Sequence, residues 1–600
     1  MKYVKSLFSL TDKEDKKSLS FLGLFMLFAA FIELLGVGSL FPYIKILNEP
    51  SLIQTNSKLH TVYQFFAFSN QNYFLIFLGF LIFTMILAKG AITCLNNYFQ
   101  ARFAARMNNK ISSKILRTYV HMSYSDLTLT NSNTLSKHLL FDVKNVIGVI
   151  SATLNMLTNI IVAMALVSLM LFADPTAVVA SIVMLVAFLK LTTWLTRDRI
   201  NRLGKSNELN YRKVYQTSSE TFSGIKDIKT FGVENYFVDK YCSTNKILSS
   251  HQVQFNVISN LPVVVMNVVG FGVLMAVLLY LLFTKGSILH VLPIIAIIAI
   301  CIQRLLPAAS AISTSIGVLR QFKPVVYIVA DAIRHLKDLV PVNNKAKTSP
   351  ALITFQKEIR FKDISYQYPE SDVNALNDVS FKISKNTSLG IIGASGAGKS
   401  TLIDVLLGLY APVNGQIFCD DVEITQSNYA DFRSLIGYVP QKTFLLDSSI
   451  KENIAFGISA DDVNPEQLRK AIEVAQLATF IDQLPEDVDT MIGENGLKMS
   501  GGQRQRLGIA RALYHNPEIV VLDEATNALD SITETEFNQS LKSLSRHKTL
   551  IIIAHRFSSI EFCDALLVID KGRIVTQGSY ESVISTNEFQ KLYPSLITAT

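Results

Sequence analysis

The stretch Leu389-Gly-Ile-Ile-Gly-Ala-Ser-Gly-Ala-Gly-Lys-Ser-Thr401 decides how the C-terminal half of this 600-residue chain is read. The apolar run from Ser388 to Ile392 predicts a buried strand, and Lys399 to Leu409 the helix that follows it. Between them Gly393, Gly396 and Gly398 let the backbone turn tightly with its N–H groups facing inward. A loop of this kind cradles a polyphosphate, because free N–H donors and a helix N-terminus both favour negative charge. On this reading Ser395, Ala397 and Thr401 lie along the cradle, Lys399 reaches the β- and γ-phosphates, and the Ser400 hydroxyl ligates Mg²⁺.

Upstream of this loop the composition changes character. Mean hydropathy is +0.31 over the chain, and the apolar runs crowd before residue 325. Residues 19–44, 73–99, 146–172, 176–196, 257–283 and 288–312 are mostly apolar and each long enough to cross a bilayer, which takes about 20 residues. Six membrane spans are therefore expected, in a domain over 19–336. Residues 337–350 form a polar, proline-containing linker and 351–600 a nucleotide-binding domain. Lysines interleave with Val4, Leu7, Phe8 and Leu10 at the start, predicting an amphipathic helix over 1–18 on the inner leaflet.

The net charge of +8 is a topology signal rather than a nucleic-acid footprint. Arg102, Arg106, Lys110, Lys114 and Arg117 follow the second span, and Arg197, Arg199, Arg202, Lys205, Arg212 and Lys213 follow the fourth. The positive-inside rule then puts both termini in the cytoplasm. Five scattered cysteines match no metal spacing and read as buried small residues. The connections 100–145 and 197–256 read as polar helical extensions of the spans, with tips near 124–133 and 216–224. Leu59, Val62, Tyr63 and Phe66 recur at helical spacing in the outer loop, predicting a short amphipathic helix that either packs on the span ends or meets substrate.

Glu33, Lys89 and Arg304 sit well inside spans, where a charge needs a partner or a wet cavity. Two readings stand side by side. Glu33 and Lys89 pair between the first two spans, or Lys89 and Arg304 face a cavity and hold an anionic group.

From about residue 350 strands alternate with helical patterns, predicting an α/β domain with a largely parallel core sheet. The run Ile519-Val-Val-Leu522 ends in Asp523-Glu524, two carboxylates that alternate to different sides of a strand. Asp523 suits a Mg²⁺ shell, and Glu524 is then free to polarise a water for in-line attack. Gln441 follows the strand-like 436–440, where it suits the same metal, and His555 follows the strand 549–554 as a γ-phosphate sensor. Tyr368 suits stacking on an adenine ring, with Tyr366 the competing choice.

Ser500-Gly501-Gly502-Gln503, followed by Arg-Gln-Arg-Leu-Gly-Ile-Ala-Arg511, resembles the signature of ATP-binding-cassette ATPases. It stands in family order with the P-loop, Gln441, VVLDEAT (520–526), Asn527 to Asp530 and His555. Six spans followed by one such cassette resemble exporter-type half-transporters. The resemblance implies ATP and Mg²⁺ as cofactors, hydrolysis coupled to transport, and a dimer whose two cassettes close head to tail. In that dimer each ATP lies between one P-loop and Ser500 to Gln503 of the other subunit. Asp530 belongs to the same nucleotide site. Met499 stands where the family usually has Leu, and Asn527 where Ser is commoner.

A narrower resemblance links LTDKEDK (10–16), the outer helix and Arg304-Leu-Leu-Pro307 to bacterial lipid-linked oligosaccharide flippases. It implies an anionic lipid substrate carried outward across a bacterial inner membrane, with Lys89 and Arg304 at matching cationic places. Export of peptides or amphipathic drugs, and an ATP-gated channel or sensor, are the competing classes.

Overall fold

The computed structural model describes residues 11–593 apart from 67, 69, 174, 286–287, 340–352, 370, 526–530 and 555–556. The chain divides into two compact units, Met1–Met122 with Asp126–Asn343, and Ser123–Ser125 with Asn344–Thr600.

The first unit is helical. Its long elements are α1 (Lys13–Gly38), α2 (Gln71–His121), α3 (Val143–Ala173), α4 (Pro175–Ser223), α5 (Glu234–Lys285) and α6 (Ile288–Gln321). Helix α1 begins at a capping interaction, in which the Asp12 amide donates to Asp15 Oδ2 at 2.8 Å. Residues 13–18, expected to belong to a separate surface helix, instead run unbroken into the first span; residues 1–10 of that expectation lie outside the described residues. The first span then breaks at Ser39 and resumes as Leu40–Asn48.

Among the described residues, five stretches are long and apolar enough to cross a membrane: Lys13–Asn48, Gln71–His121, Ser132–Leu171, Glu234–Tyr280 and Ile298–Gln321. The expected fourth span, 176–196, falls on α4, where several side chains lie outside the described set. Only 6% of the most apolar window of α2 is buried, so its apolar side chains face outward, as they do when lipid is the solvent. The long helical extensions expected from the sequence are present, because α2, α4 and α5 each exceed the bilayer by several turns. Val37, Leu166, Met266, Ile298 and Ile302 form one interhelical core, and Met107, Ile111, Ile115, Val146 and Val326 another.

The short helix expected in the loop after the first span forms over Ser57–Phe65, with Leu59 and Tyr63 packed on Ile46, Ile53 and Phe74. Between the short helix Ser132–Lys137 and α3, the residues His138–Asp142 form a π turn. Lys137 is buried there, its ammonium 3.1 Å from Glu208 on α4 and 3.4 Å from Asp142.

The second unit holds two sheets. Strands β1 (Glu358–Gln367), β2 (Asn374–Ser384), β4 (Asn414–Cys419) and β5 (Val422–Glu423) form an antiparallel sheet in the order β2-β1-β4-β5. Strands β3 (Ser388–Ile392), β6 (Ile436–Val439), β7 (Ile519–Asp523), β8 (Thr549–Ile553), β9 (Ala565–Asp570) and β10 (Arg573–Gly578) form the second, ordered β10-β9-β3-β8-β7-β6. Its pairs are parallel except for β9 with β10. β3, β7 and β8 are buried at every residue, which is why they read as continuous apolar runs rather than alternating ones. The core of the unit lies on both faces of this sheet.

Candidate nucleotide site and membrane charges

The loop after β3 leads into α7 (Lys399–Leu406). That helix ends three residues before the expected Leu409, because Gly408 takes a left-handed conformation at φ +64°. Gly398, at the N-cap, has φ +106°, and a Cβ there would stand 2.8 Å from the Ala375 carbonyl oxygen. No larger residue fits that backbone without strain. Ser395, Gly396 and Ser400 are exposed, whereas Ala397, Lys399 and Thr401 are buried.

The Lys399 ammonium donates to the Gly393 and Ala394 carbonyls at 2.8 and 3.0 Å, bridging the base of the loop. Burial lowers its pKa from the ordinary lysine value, and the charges of Glu524 and Asp523 act in the opposite sense. Tyr368 is 37% exposed and its hydroxyl bonds to Thr401 Oγ1 at 2.9 Å. Tyr366, the competing choice, is 5% exposed and stacked on Tyr410, so of the two Tyr368 offers the accessible ring.

At the C-terminal end of β7, Asp523 is buried and bonds to the Tyr438 hydroxyl. Asp404 on α7 is raised to about 6, by burial first and by the Asp523 charge second. The side-chain oxygens of Ser400, Gln441 and Asp523 are of the donor chemistry that fits a hard divalent cation. Glu524, half-buried, has φ +51°, an uncommon conformation for a residue with a Cβ. Its carboxylate accepts from Gln441 Nε2 at 2.5 Å. The structure thus brings Lys399, Gln441, Asp523 and Glu524 into one cluster. His555 and Asp530 lie outside the described residues.

Ser500 to Gln503 open a separate helix, α8 (Gly501–Tyr514). Ser500 Oγ accepts from the Gln503 amide at 3.2 Å while Gln503 Oε1 accepts from the Ser500 amide at 2.8 Å, a reciprocal cap. Ser500 and Gly501 remain exposed, so the first amides of α8 face solvent. Among the described residues, no hydrogen bond or ion pair joins Ser500–Gln503 to the P-loop of the same chain. Met499, the departure from the family's usual Leu, is buried in the apolar core.

The sequence did not single out Asp404, nor Arg511, whose guanidinium donates to the Phe444 and Asn453 carbonyls at 2.6 and 2.8 Å. Each acts through partners far away in sequence. In the first unit, Glu33 and Lys89 form an ion pair between α1 and α2, each about 13% exposed. Of the two readings of Lys89, the pair is the geometry found. Arg304 is exposed on α6, and no carboxylate pairs with it among the described residues.

Comparison with known proteins follows the same two units. The family profile described as ABC transporter transmembrane region matches residues 19–305, and that described as ABC transporter matches 376–527. The ATP-dependent lipid A-core flippase of Coxiella burnetii is 29% identical over 545 residues, covering 87% of each chain. Its counterpart in Legionella pneumophila is 28% identical over 514 residues, or 85% of each. A bacterial Atm1-family ABC exporter solved with ATP bound aligns at TM-score 0.78 and 22% identity, covering 98% of this chain and 99% of the other. With a membrane domain and an ATP-hydrolysing cassette in one polypeptide, the chain belongs to the ATP-binding-cassette transporters as an exporter-type half-transporter, built to work with a second half.

Proposed function

We propose that this exporter is a flippase. It moves a lipid-linked oligosaccharide, or a similar anionic lipid, from the inner to the outer leaflet of a bacterial inner membrane, and it works as a homodimer with cytoplasmic termini. The observation that carries the lipid reading is Arg304, an exposed cation on α6 with no carboxylate partner among the described residues. An intramembrane guanidinium of that kind suits a phosphate-bearing head group. Similarity to lipid A-core flippases over most of the chain supports a lipid rather than a peptide. Lys89, held by Glu33, becomes a substrate cation only if that pair opens.

In the cassette, Gly393 to Thr401 hold the phosphates, Tyr368 stacks on the adenine and Lys399 meets the β- and γ-oxygens. Ser400, Gln441 and Asp523 would hold Mg²⁺, which supplies charge neutralisation on those oxygens. Glu524 orients and deprotonates the attacking water, with His555 beside the γ-phosphate. Ser500 and the Gly501 and Gly502 amides contact the same phosphate from the partner subunit, and Asp530 completes that junction.

The test is ATPase activity in proteoliposomes with a polyprenyl-pyrophosphate-linked sugar, a peptide or an amphipathic dye. Stimulation by the lipid, lost in Arg304→Ala, is expected. Stimulation by peptide or dye instead, or lipid stimulation indifferent to Arg304, would reject the lipid reading. ATP turnover with no substrate movement would point to a gated channel or sensor. Glu524→Gln should bind ATP and stall; full turnover in that variant removes Glu524 as the base.

A further inference from the structure

Glu524 is gripped from three elements, each by a different part of the residue. Its amide donates to the Ile553 carbonyl at 3.0 Å, continuing the ladder between β7 and β8. Its carboxylate accepts from Gln441. Its own carbonyl accepts from Gln505 Nε2 at 3.1 Å. Gln505 lies on α8, two residues after the signature, and is 6% exposed. Backbone at φ +51° persists in a residue with a Cβ only where the surroundings fix it. A buried side-chain amide on that carbonyl is such a fixture.

The position of Gln505 gives the contact a second meaning. Helix α8 begins with Ser500, which on the reading above serves the nucleotide held by the partner's P-loop. Glu524 serves the nucleotide of its own P-loop. One buried hydrogen bond therefore joins half of one composite site to the base of the other, inside a single chain.

We propose that Gln505 is a positioning residue for the reaction: it sets the backbone of Glu524, and through α8 it makes the aim of that base depend on engagement of the signature at the opposite site. The proposal rests on Glu524 being the general base. Gln505 touches no reacting atom. Its effect belongs to the chemical step and to communication between sites, not to nucleotide affinity.

The experiment uses the full-length protein in nanodiscs and four variants: Gln505→Leu, which keeps the bulk and loses the donor, Gln505→Asn, Glu524→Gln, and Gln505→Leu with Glu524→Gln. Turnover, the Hill coefficient for ATP, equilibrium binding of a fluorescent ATP analogue and the melting temperature are measured for each. Expected for Gln505→Leu is a loss in kcat on the order of tenfold, as for a buried carbonyl deprived of its donor. The Hill coefficient should fall toward one, with analogue affinity unchanged within about twofold. The double variant should be no slower than Glu524→Gln alone. Unchanged kcat and cooperativity in Gln505→Leu would overturn the proposal. So would a parallel fall in affinity, melting temperature and turnover, which marks a merely structural residue. Should Gln505→Leu not fold, the same criteria apply to Gln505→Asn, which keeps the amide one methylene short and should fall between. An active Glu524→Gln would instead defeat the assignment of the base. A stalled Glu524→Gln beside a normal Gln505→Leu defeats the positioning role alone.

Discussion

Asp404→Asn should stabilise the nucleotide-free protein, and by an amount that depends on pH. Asp404 lies on α7, with its carboxyl raised to about 6 by burial and by the neighbouring Asp523. In the unfolded chain the same carboxyl titrates near its ordinary 3.8. The sign follows from which state holds the proton. Below the unfolded value both states are protonated and the residue is neutral in its effect. As pH rises through the interval between the two values, the unfolded chain ionises first and is favoured, so the destabilisation is complete above the folded value. A shift of about two units corresponds to roughly 3 kcal/mol, an upper bound because Asp404 is only partly shielded from water. Asparagine carries no charge at any pH, so at pH 8 the variant should gain about 1–3 kcal/mol, and at pH 5 roughly half as much. For a cassette of this size that is an upward shift of about 2–10 °C in melting temperature. The assay is differential scanning fluorimetry of the full-length protein in EDTA at both pH values. A gain equal at pH 5 and pH 8, or a loss at pH 8, would refute the electrostatic account.

Three further outcomes are expected. Lys89→Ala leaves Glu33 uncompensated between α1 and α2. It should lower the melting temperature in detergent while Glu33→Ala/Lys89→Ala recovers most of the loss; a coupling below about 0.5 kcal/mol would show that the pair is energetically idle. Gly398→Ala forces a methyl to 2.8 Å from the Ala375 carbonyl at φ +106°. ATP-analogue affinity should then fall at least about tenfold, and unchanged binding would contradict the strained cradle. Arg511→Ala strips donors from the Phe444 and Asn453 carbonyls and from Asn453 Oδ1. Cassette stability should drop by about 2–4 kcal/mol in chemical denaturation, with little change if those acceptors find water instead.

What the sequence made legible is what repeats locally. Continuous apolar runs foretold β3, β7 and β8, because strands buried on both faces leave no polar alternation to confuse them. Helical spacing foretold Ser57–Phe65, and the long polar connections foretold the extensions of α2, α4 and α5. Motif order brought Lys399, Gln441, Asp523 and Glu524 to one place on paper before the fold did. Less legible was anything decided by a distant partner. The Gln505 bond spans 19 residues to the strained carbonyl of Glu524. The stop of α7 at Leu406 and the separate antiparallel sheet answer to tertiary packing, on which local pattern is silent.

The π turn at His138–Asp142 explains how Lys137 and Asp142 meet at all. In ordinary helix, side chains five apart diverge by about 140°, whereas a π turn stacks them. The Lys137–Asp142–Glu208 group is therefore a clasp on one surplus residue in the winding. Deleting one residue within 138–142 would part Lys137 from Asp142 and turn the chain before it by about 100° about the axis of α3.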